Sequence, residues 1–183
     1  MARGKWRKHG GLRLGRAFFA EVEMLARTHG YAGFSYAESA ESLDISKATI
    51  HHHFPTKEDL GVALIEAYAA RYAAALSLND GAILLESPDH GLRKLSLEGS
   101  SQSWGCLCGV MAGERDILPQ RLQQGIAQFF GRHLVWLQHA VESGIANGTL
   151  RGEMHPASQA KLILSALEGA ALLGRLFGSK GRV

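Results

Sequence analysis

Between Ser35 and Asp59 the chain carries helix starts and stops packed more closely than in an ordinary helical segment. Ser35 with Glu38 three residues later forms a capping-box pattern, in which the serine oxygen takes an N–H of the first turn and the glutamate returns to the serine N–H. Asp44 breaks the segment before Ile45, Ser46 is a second N-cap residue, and Pro55 disfavours helical geometry at Phe54. Thr56 with Asp59 then opens a further helix. The spacing predicts two short helices, Ser35 to Leu43 and Ser46 to His53, joined by a tight turn at Asp44. Tyr36, Ala40, Leu43, Ile45 and Ile50 are the apolar positions that can hold the pair together.

Helical periodicity extends through the rest, and no segment alternates convincingly with period two. Leu14, Phe18, Val22 and Leu25 form one apolar stripe that ends at Gly30, a residue suited to a left-handed closing position. An alanine- and leucine-rich helix is expected from about Lys57 to Leu76, followed by a loop over 78–87 containing Asn79-Asp80-Gly81. Another helix is expected from near Pro88, and one from about Cys106 to Ile117. After Leu118-Pro119 a long helix carries Leu122, Ile126, Phe129, Phe130, Leu134, Leu137, Val141 and Ile145, stopping at Asn147-Gly148. A last helix is expected from Pro156 to about Phe177. The expected class is all-α, with about nine helices or fewer. A three-helix head with a basic arm occupies residues 1–57, and a larger helical body occupies residues 58–183.

Composition narrows the function. With 46% apolar residues the 183-residue chain has the material for a packed core and does not resemble a disordered one. No apolar run reaches the roughly 18 residues of a membrane-spanning helix, and the basic N-terminus lacks the apolar stretch of a secretory signal. The expectation is a cytoplasmic protein. Two cysteines, Cys106 and Cys108, are too few for a disulfide framework or a four-ligand zinc site, and neither a metal nor an organic cofactor is expected. The net charge of +3 is unevenly placed: up to Lys57 there are nine basic residues against five acidic ones, most of the basic ones before Ala17. A basic arm beside a small helical domain is a phosphate-binding device, although a solvated tail has the same composition.

Two short helices joined by a tight turn suit DNA reading for a geometric reason. The second can enter the major groove while the first braces it across the backbone. Here Ser46, Lys47, Ala48, Thr49, His51 and His52 are left for the outer face of the second helix. Short polar side chains, a methyl group and a cation match base edges, a thymine methyl and phosphates. Periodicity alone also fits a three-helix head that does not bind DNA.

The residues Gly30-Tyr31, Ser35, and Ile45-Ser46-Lys47-Ala48-Thr49-Ile50-His51-His52-His53-Phe54-Pro55-Thr56-Lys57-Glu58-Asp59-Leu60 resemble the N-terminal head of the TetR family of transcription regulators. The resemblance runs without a gap from Arg16 to Tyr68. It implies that Ser35 and Lys57 meet phosphates, that Lys47, Ala48 and Thr49 face the groove, and that His51 and His52 lie near the DNA. It implies that His53 and Phe54 are structural. Three positions depart from the family pattern: Asp44 stands at the turn usually held by glycine, Ser39 replaces an aliphatic residue, and His51 replaces a phosphate-binding tyrosine. The last substitution removes that contact or makes it pH-sensitive.

The resemblance further implies a homodimer formed through the last two helices, double-stranded palindromic operator DNA as partner, and a small-molecule effector bound in the body. The last helix fits this, being apolar nearly all round with Ala160, Ala166, Gly169, Ala170 and Gly174 among its leucines, although an internal core helix has the same composition. Gly105-Cys106-Leu107 is similar to a segment of a TetR subgroup in which cysteine senses electrophiles or oxidants. Cys106, near a helix start, is the better-placed thiol, and at i and i+2 the two thiols are poorly placed for one disulfide. Two small buried hydrophobes are the plainer reading. Trp104, Cys106, Cys108, Met111, Phe129, His133 and Trp136 are the candidate effector pocket, though an ordinary core would use the same residues.

The function expected from these features is a ligand-responsive regulator, a repressor released from DNA by a small-molecule or electrophilic effector. A cysteine-based redox sensor acting as activator and a DNA-binding factor without an effector are the alternatives. An enzyme is not expected. His51, His52 and His53 lie at successive helical angles and cannot converge on one metal. No Gly-x-Ser-x-Gly, His-Glu-x-x-His or phosphate-cradling pattern occurs.

Overall fold

A computed structural model describes residues 11–77 and 105–177. The described residues form helices and no strand: α1 (Gly11–Gly33), α2 (Tyr36–Ser42), α3 (Lys47–His53), α4 (Lys57–Ser77), α5 (Leu107–Ala112), a 3-10 turn (Arg115–Ile117), α6 (Gln120–Ala146) and α7 (Pro156–Phe177). The protein is all-α. The expected loop over 78–87, the helix near Pro88 and most of the basic arm lie outside the described residues.

Two compact units make up the chain. The first contains residues up to Tyr68 together with Leu107–Ile126. Its core is built from Phe18, Val22, Leu25 and Ala26 of α1, Ile50 of α3, Leu60 and Leu64 of α4, Leu107 and Met111 of α5, and Leu122 of α6, all buried. Removing that much apolar surface from water is what holds helices as short as α2 and α3, which are far below the length of an independently stable helix. Phe54, just after α3, stacks on Phe18 of α1 with ring centroids 5.9 Å apart.

Local chemistry explains the element ends. At Ser35 both halves of the capping box are formed. At Ser46 the side chain accepts the Thr49 N–H at 3.1 Å, starting α3. The turn between them places Asp44 at φ 52°, a left-handed geometry that aspartate tolerates better than most residues. Ser39, on the inner side of α2, is fully buried and donates its hydroxyl to the Ser35 carbonyl at 3.2 Å, so its polarity is satisfied inside the core.

One expectation is corrected. The helix expected over Cys106–Ile117 is broken into α5 and a 3-10 turn: Gly113 N–H reaches both Gly109 O and Val110 O, and Glu114 N–H bonds Met111 O, tightening the chain out of the α ladder. Two glycines so close together lower the helical preference enough for this. The first helix breaks at Gly30 as expected, at φ 75° and ψ 175°, and a further turn runs on to Gly33.

In the second unit, Tyr72 of α4 packs edge-on against Phe129 of α6, centroids 5.2 Å apart. Leu137 of α6 and Ala160 of α7 are buried with Trp136, Ile163 and Leu164 against them. No described helix is long and apolar enough to cross a membrane.

Candidate nucleic-acid interface

The face of α3 turned away from the core carries the residues expected for DNA reading. Ile50 is buried, whereas Ser46, Lys47, Ala48, His51 and His52 are exposed and Thr49 is half-buried. The Thr49 hydroxyl lies 2.9 Å from that of Ser46, which fixes its rotamer at the start of the helix. The His51 ring meets Tyr36 of α2 edge-on at 4.6 Å, and its Nδ1 lies 3.4 Å from Pro55 O. Tyr36 in turn donates its hydroxyl to Phe54 O at 2.9 Å, locking α2 to the end of α3. Burial pushes the Tyr36 hydroxyl pKa up to about 12, with the Asp59 charge and Tyr31 adding to it, so it stays a donor. These contacts tie α2 to the end of α3 behind that outer face.

Ser35 and Lys57 are both engaged within the protein. Glu38 accepts the Ser35 N–H at 2.8 Å and its hydroxyl at 3.0 Å. Lys57 Nζ donates to Ala32 O at 3.2 Å and lies over the rings of Tyr31, at 4.9 Å, and Phe34, at 4.6 Å. Burial lowers the Lys57 pKa, and the Glu114 and Glu38 charges work against that shift. An ammonium has three donors, and Ala32 O takes one of them. At the start of α4, Asp59 takes Thr56 Oγ1 at 2.7 Å and Arg121 Nη1 of α6 at 2.9 Å. Those two hydrogen bonds hold its carboxyl below the usual range, the Thr56 bond contributing most.

The residues proposed for an effector are divided between the units. Cys108 and Met111 are fully buried in the first, beside Leu107, whose N–H donates to Tyr68 Oη at 3.3 Å. Cys106, Phe129, His133 and Trp136 belong to the second, and Trp104 lies outside the described residues. His133 is 4% exposed and its ring is 4.2 Å from that of Phe129. Its Nδ1 bonds Phe129 O at 2.8 Å, so that nitrogen carries the proton, and Nε2 has no hydrogen-bond partner among the described residues. Burial lowers the His133 pKa, the Phe129 carbonyl opposing it.

Two acidic residues matter that periodicity did not reveal. Glu168 of α7 accepts a hydrogen bond from Cys106; burial raises its carboxyl pKa and that bond offsets part of the rise. Glu114 accepts the Ala32 N–H at 3.1 Å across 82 residues of chain. The signal for Glu168 was a lone acid inside an apolar helix. Nothing local signals the Glu114 contact.

Comparison with known proteins fixes the family. Residues 22–64 match the family model described as bacterial regulatory proteins, tetR family, and residues 95–183 match the tetracyclin repressor-like C-terminal domain. The chain belongs to the TetR family. A TetR-family regulator from Agrobacterium tumefaciens is similar in structure, with a TM-score of 0.81, 26% identity, and coverage of 91% of this chain and 90% of that one. A TetR regulator from Legionella pneumophila is 32% identical with a TM-score of 0.72, covering 89% of this chain and 87% of that one. The HTH-type transcriptional repressor NemR of Escherichia coli K12 is 25% identical over 167 residues, 86% of this chain and 81% of its own length. This TetR-family member is thus a transcription regulator with a DNA-binding helix-turn-helix, α2 and α3, and not an enzyme.

Proposed function

We propose that this regulator is a repressor that binds palindromic operator DNA as a homodimer and is released by a small-molecule effector. Residues 1–57 serve DNA binding and residues 58–183 serve effector binding and dimerisation. The observation that carries the reading is the outward face of α3, with Lys47, Ala48, His51 and His52 exposed on a helix whose other side is buried. Thr49 and Lys47 are the base and phosphate readers, with Ser46, His51 and His52 beside them. Lys57 is a phosphate clamp, and Ser35 becomes one when its hydroxyl turns from Glu38. Release by the effector requires different affinities for the DNA-competent and DNA-incompetent conformations.

Dimerisation is supported by α7. Leu162, Leu172, Leu173, Leu176 and Phe177 are 54–73% exposed on one helix, and an added Cβ at Gly169 or Gly174 meets nothing within 4 Å. An apolar row with small residues between its leucines admits a second helix at close range. Val135 of α6 is 57% exposed as well.

A second reading of the effector is favoured by the Cys106–Glu168 hydrogen bond. A soft electrophile would add to the Cys106 sulfur while the thiol proton passes to Glu168, whose burial favours the protonated form. Mass spectrometry after exposure to an electrophile tests it, with one adduct at Cys106 expected and loss of labelling selectivity in Glu168→Gln. Equal labelling of Cys106 in both proteins contradicts the role of Glu168.

Gel-shift with the DNA flanking the gene tests the main reading. Specific retardation is expected, falling steeply with salt as phosphate contacts are lost. Absence of specific retardation, or retardation unchanged in Thr49→Ala and Lys57→Ala, would remove it.

A further inference from the structure

We propose that Glu114 is a positioning residue for DNA binding: it fixes the turn after Gly30, and through the Ala32 peptide it holds Lys57 in place to meet a phosphate. The proposal rests on the phosphate role given to Lys57 above.

Four observations form a continuous chain. Gly30 leaves helical geometry at φ 75°, so the α1 hydrogen-bond ladder is interrupted there. The Glu114 carboxylate fills that gap, its Oε2 accepting the Ala32 N–H at 3.1 Å. It sits so close to the backbone that a Cβ on Gly30 would collide with Glu114 Oε1. On the other side of the same residue, Ala32 O accepts Lys57 Nζ at 3.2 Å, with the ammonium resting on Tyr31 and Phe34. The carboxylate thus organises one short turn, and that turn carries the acceptor, the two rings and, one residue on, the Ser35 cap of α2. Loss of this bond takes the acceptor from the Ala32 N–H and frees the turn. Lysine has enough rotamer freedom that an unheld ammonium gives up most of its pre-organisation.

Operator binding by fluorescence anisotropy, measured across a salt series, tests the relay in Glu114→Ala, Glu114→Gln, Lys57→Met and the Glu114→Ala/Lys57→Met double variant. Loss of one phosphate contact in each protomer of the dimer is expected to weaken binding by about tenfold or more and to make the salt slope shallower by roughly 1.8. Glu114→Ala should reproduce both effects of Lys57→Met. The double variant should bind within about twofold of Lys57→Met alone, as expected for residues acting through one contact. Glu114→Gln keeps an oxygen for the Ala32 N–H and should stay within about twofold of wild type. Losses that multiply in the double variant, an unchanged salt slope in Glu114→Ala, or equal losses in Glu114→Gln and Glu114→Ala each overturn the relay. A Lys57→Met protein that binds like wild type overturns the phosphate role of Lys57 and the relay with it, leaving the α3 reading face to be judged by Thr49→Ala. Glu114→Asp, which keeps the charge but shortens the reach, is the substitute where Glu114→Ala fails to fold; it should show the same shallower slope, and a wild-type slope overturns the proposal.

Discussion

The α2–α3 pair and the last helix both present an exposed face, but the two faces are chemically opposite. On α3 the exposed residues are a lysine, an alanine and two histidines, on a scaffold whose polar groups are capped: Ser35 with Glu38, Ser46 with Thr49, Tyr36 with Phe54 O. On α7 the exposed residues are leucines and a phenylalanine. A satisfied polar face is stable in water and can wait for a ligand that comes and goes. An apolar row of that size is stable only when covered, which calls for a standing partner rather than a transient one. The contrast is what supports the proposal of DNA on one face and a second copy of the chain on the other.

The largest effect should come from charging the apolar face. Leu172→Glu with Leu176→Glu would place carboxylates in a buried contact, where unpaired charge costs several kcal/mol. Light scattering should then give the monomer mass, and operator affinity should fall by at least about 100-fold because paired half-sites are lost. A dimer that survives both charges would break the comparison from the α7 side.

Next come the reading residues. Thr49→Ala or Lys47→Ala should weaken operator binding by about 1–3 kcal/mol, read by anisotropy, with thermal stability nearly unchanged. Thr49→Ala should relax discrimination between operator variants, and Lys47→Ala should act on all sequences if its partner is a phosphate. Lost stability with unchanged DNA binding would reduce the α3 face to a structural one.

His133 gives a smaller, pH-dependent effect. Its folded-state pKa lies below the ordinary 6.5 because the neutral ring is buried. The unfolded chain therefore takes up a proton first as pH falls. The contribution is complete above about pH 6.5 and is lost as pH drops from there toward the lowered folded value. Chemical denaturation at pH 7.5 and 5.5 should show a shallower pH dependence for His133→Phe than for wild type. The smallest effect is expected at Asp44: with φ 52°, Asp44→Gly should raise stability by about 0.5–1 kcal/mol and leave DNA binding intact.

The head was far more legible in the sequence than the body, for a physical reason. Its elements are bounded by local devices, the Ser35–Glu38 box, the Ser46 cap, Asp44 and Pro55, each working within a few residues of chain. The break after Ala112 depends on competing hydrogen bonds of Gly113, which periodicity does not register. The Glu114 contact with Ala32 spans 82 residues, and the Cys106–Glu168 contact likewise joins residues far apart in the chain, so neither leaves a local trace. Lys57 illustrates the boundary: its position at the start of α4 was readable, but its seat on Tyr31, Phe34 and Ala32 was not.

Hydroxyl-radical footprinting of the operator complex tests the central claim most directly, because it reports both faces at once. Two symmetry-related protected segments are expected, centred about 10 base pairs or a multiple of that apart, as two α3 helices in successive major grooves require. Both should vanish together in the Leu172→Glu/Leu176→Glu protein. A single protected segment, or protection without sequence preference, would contradict the account.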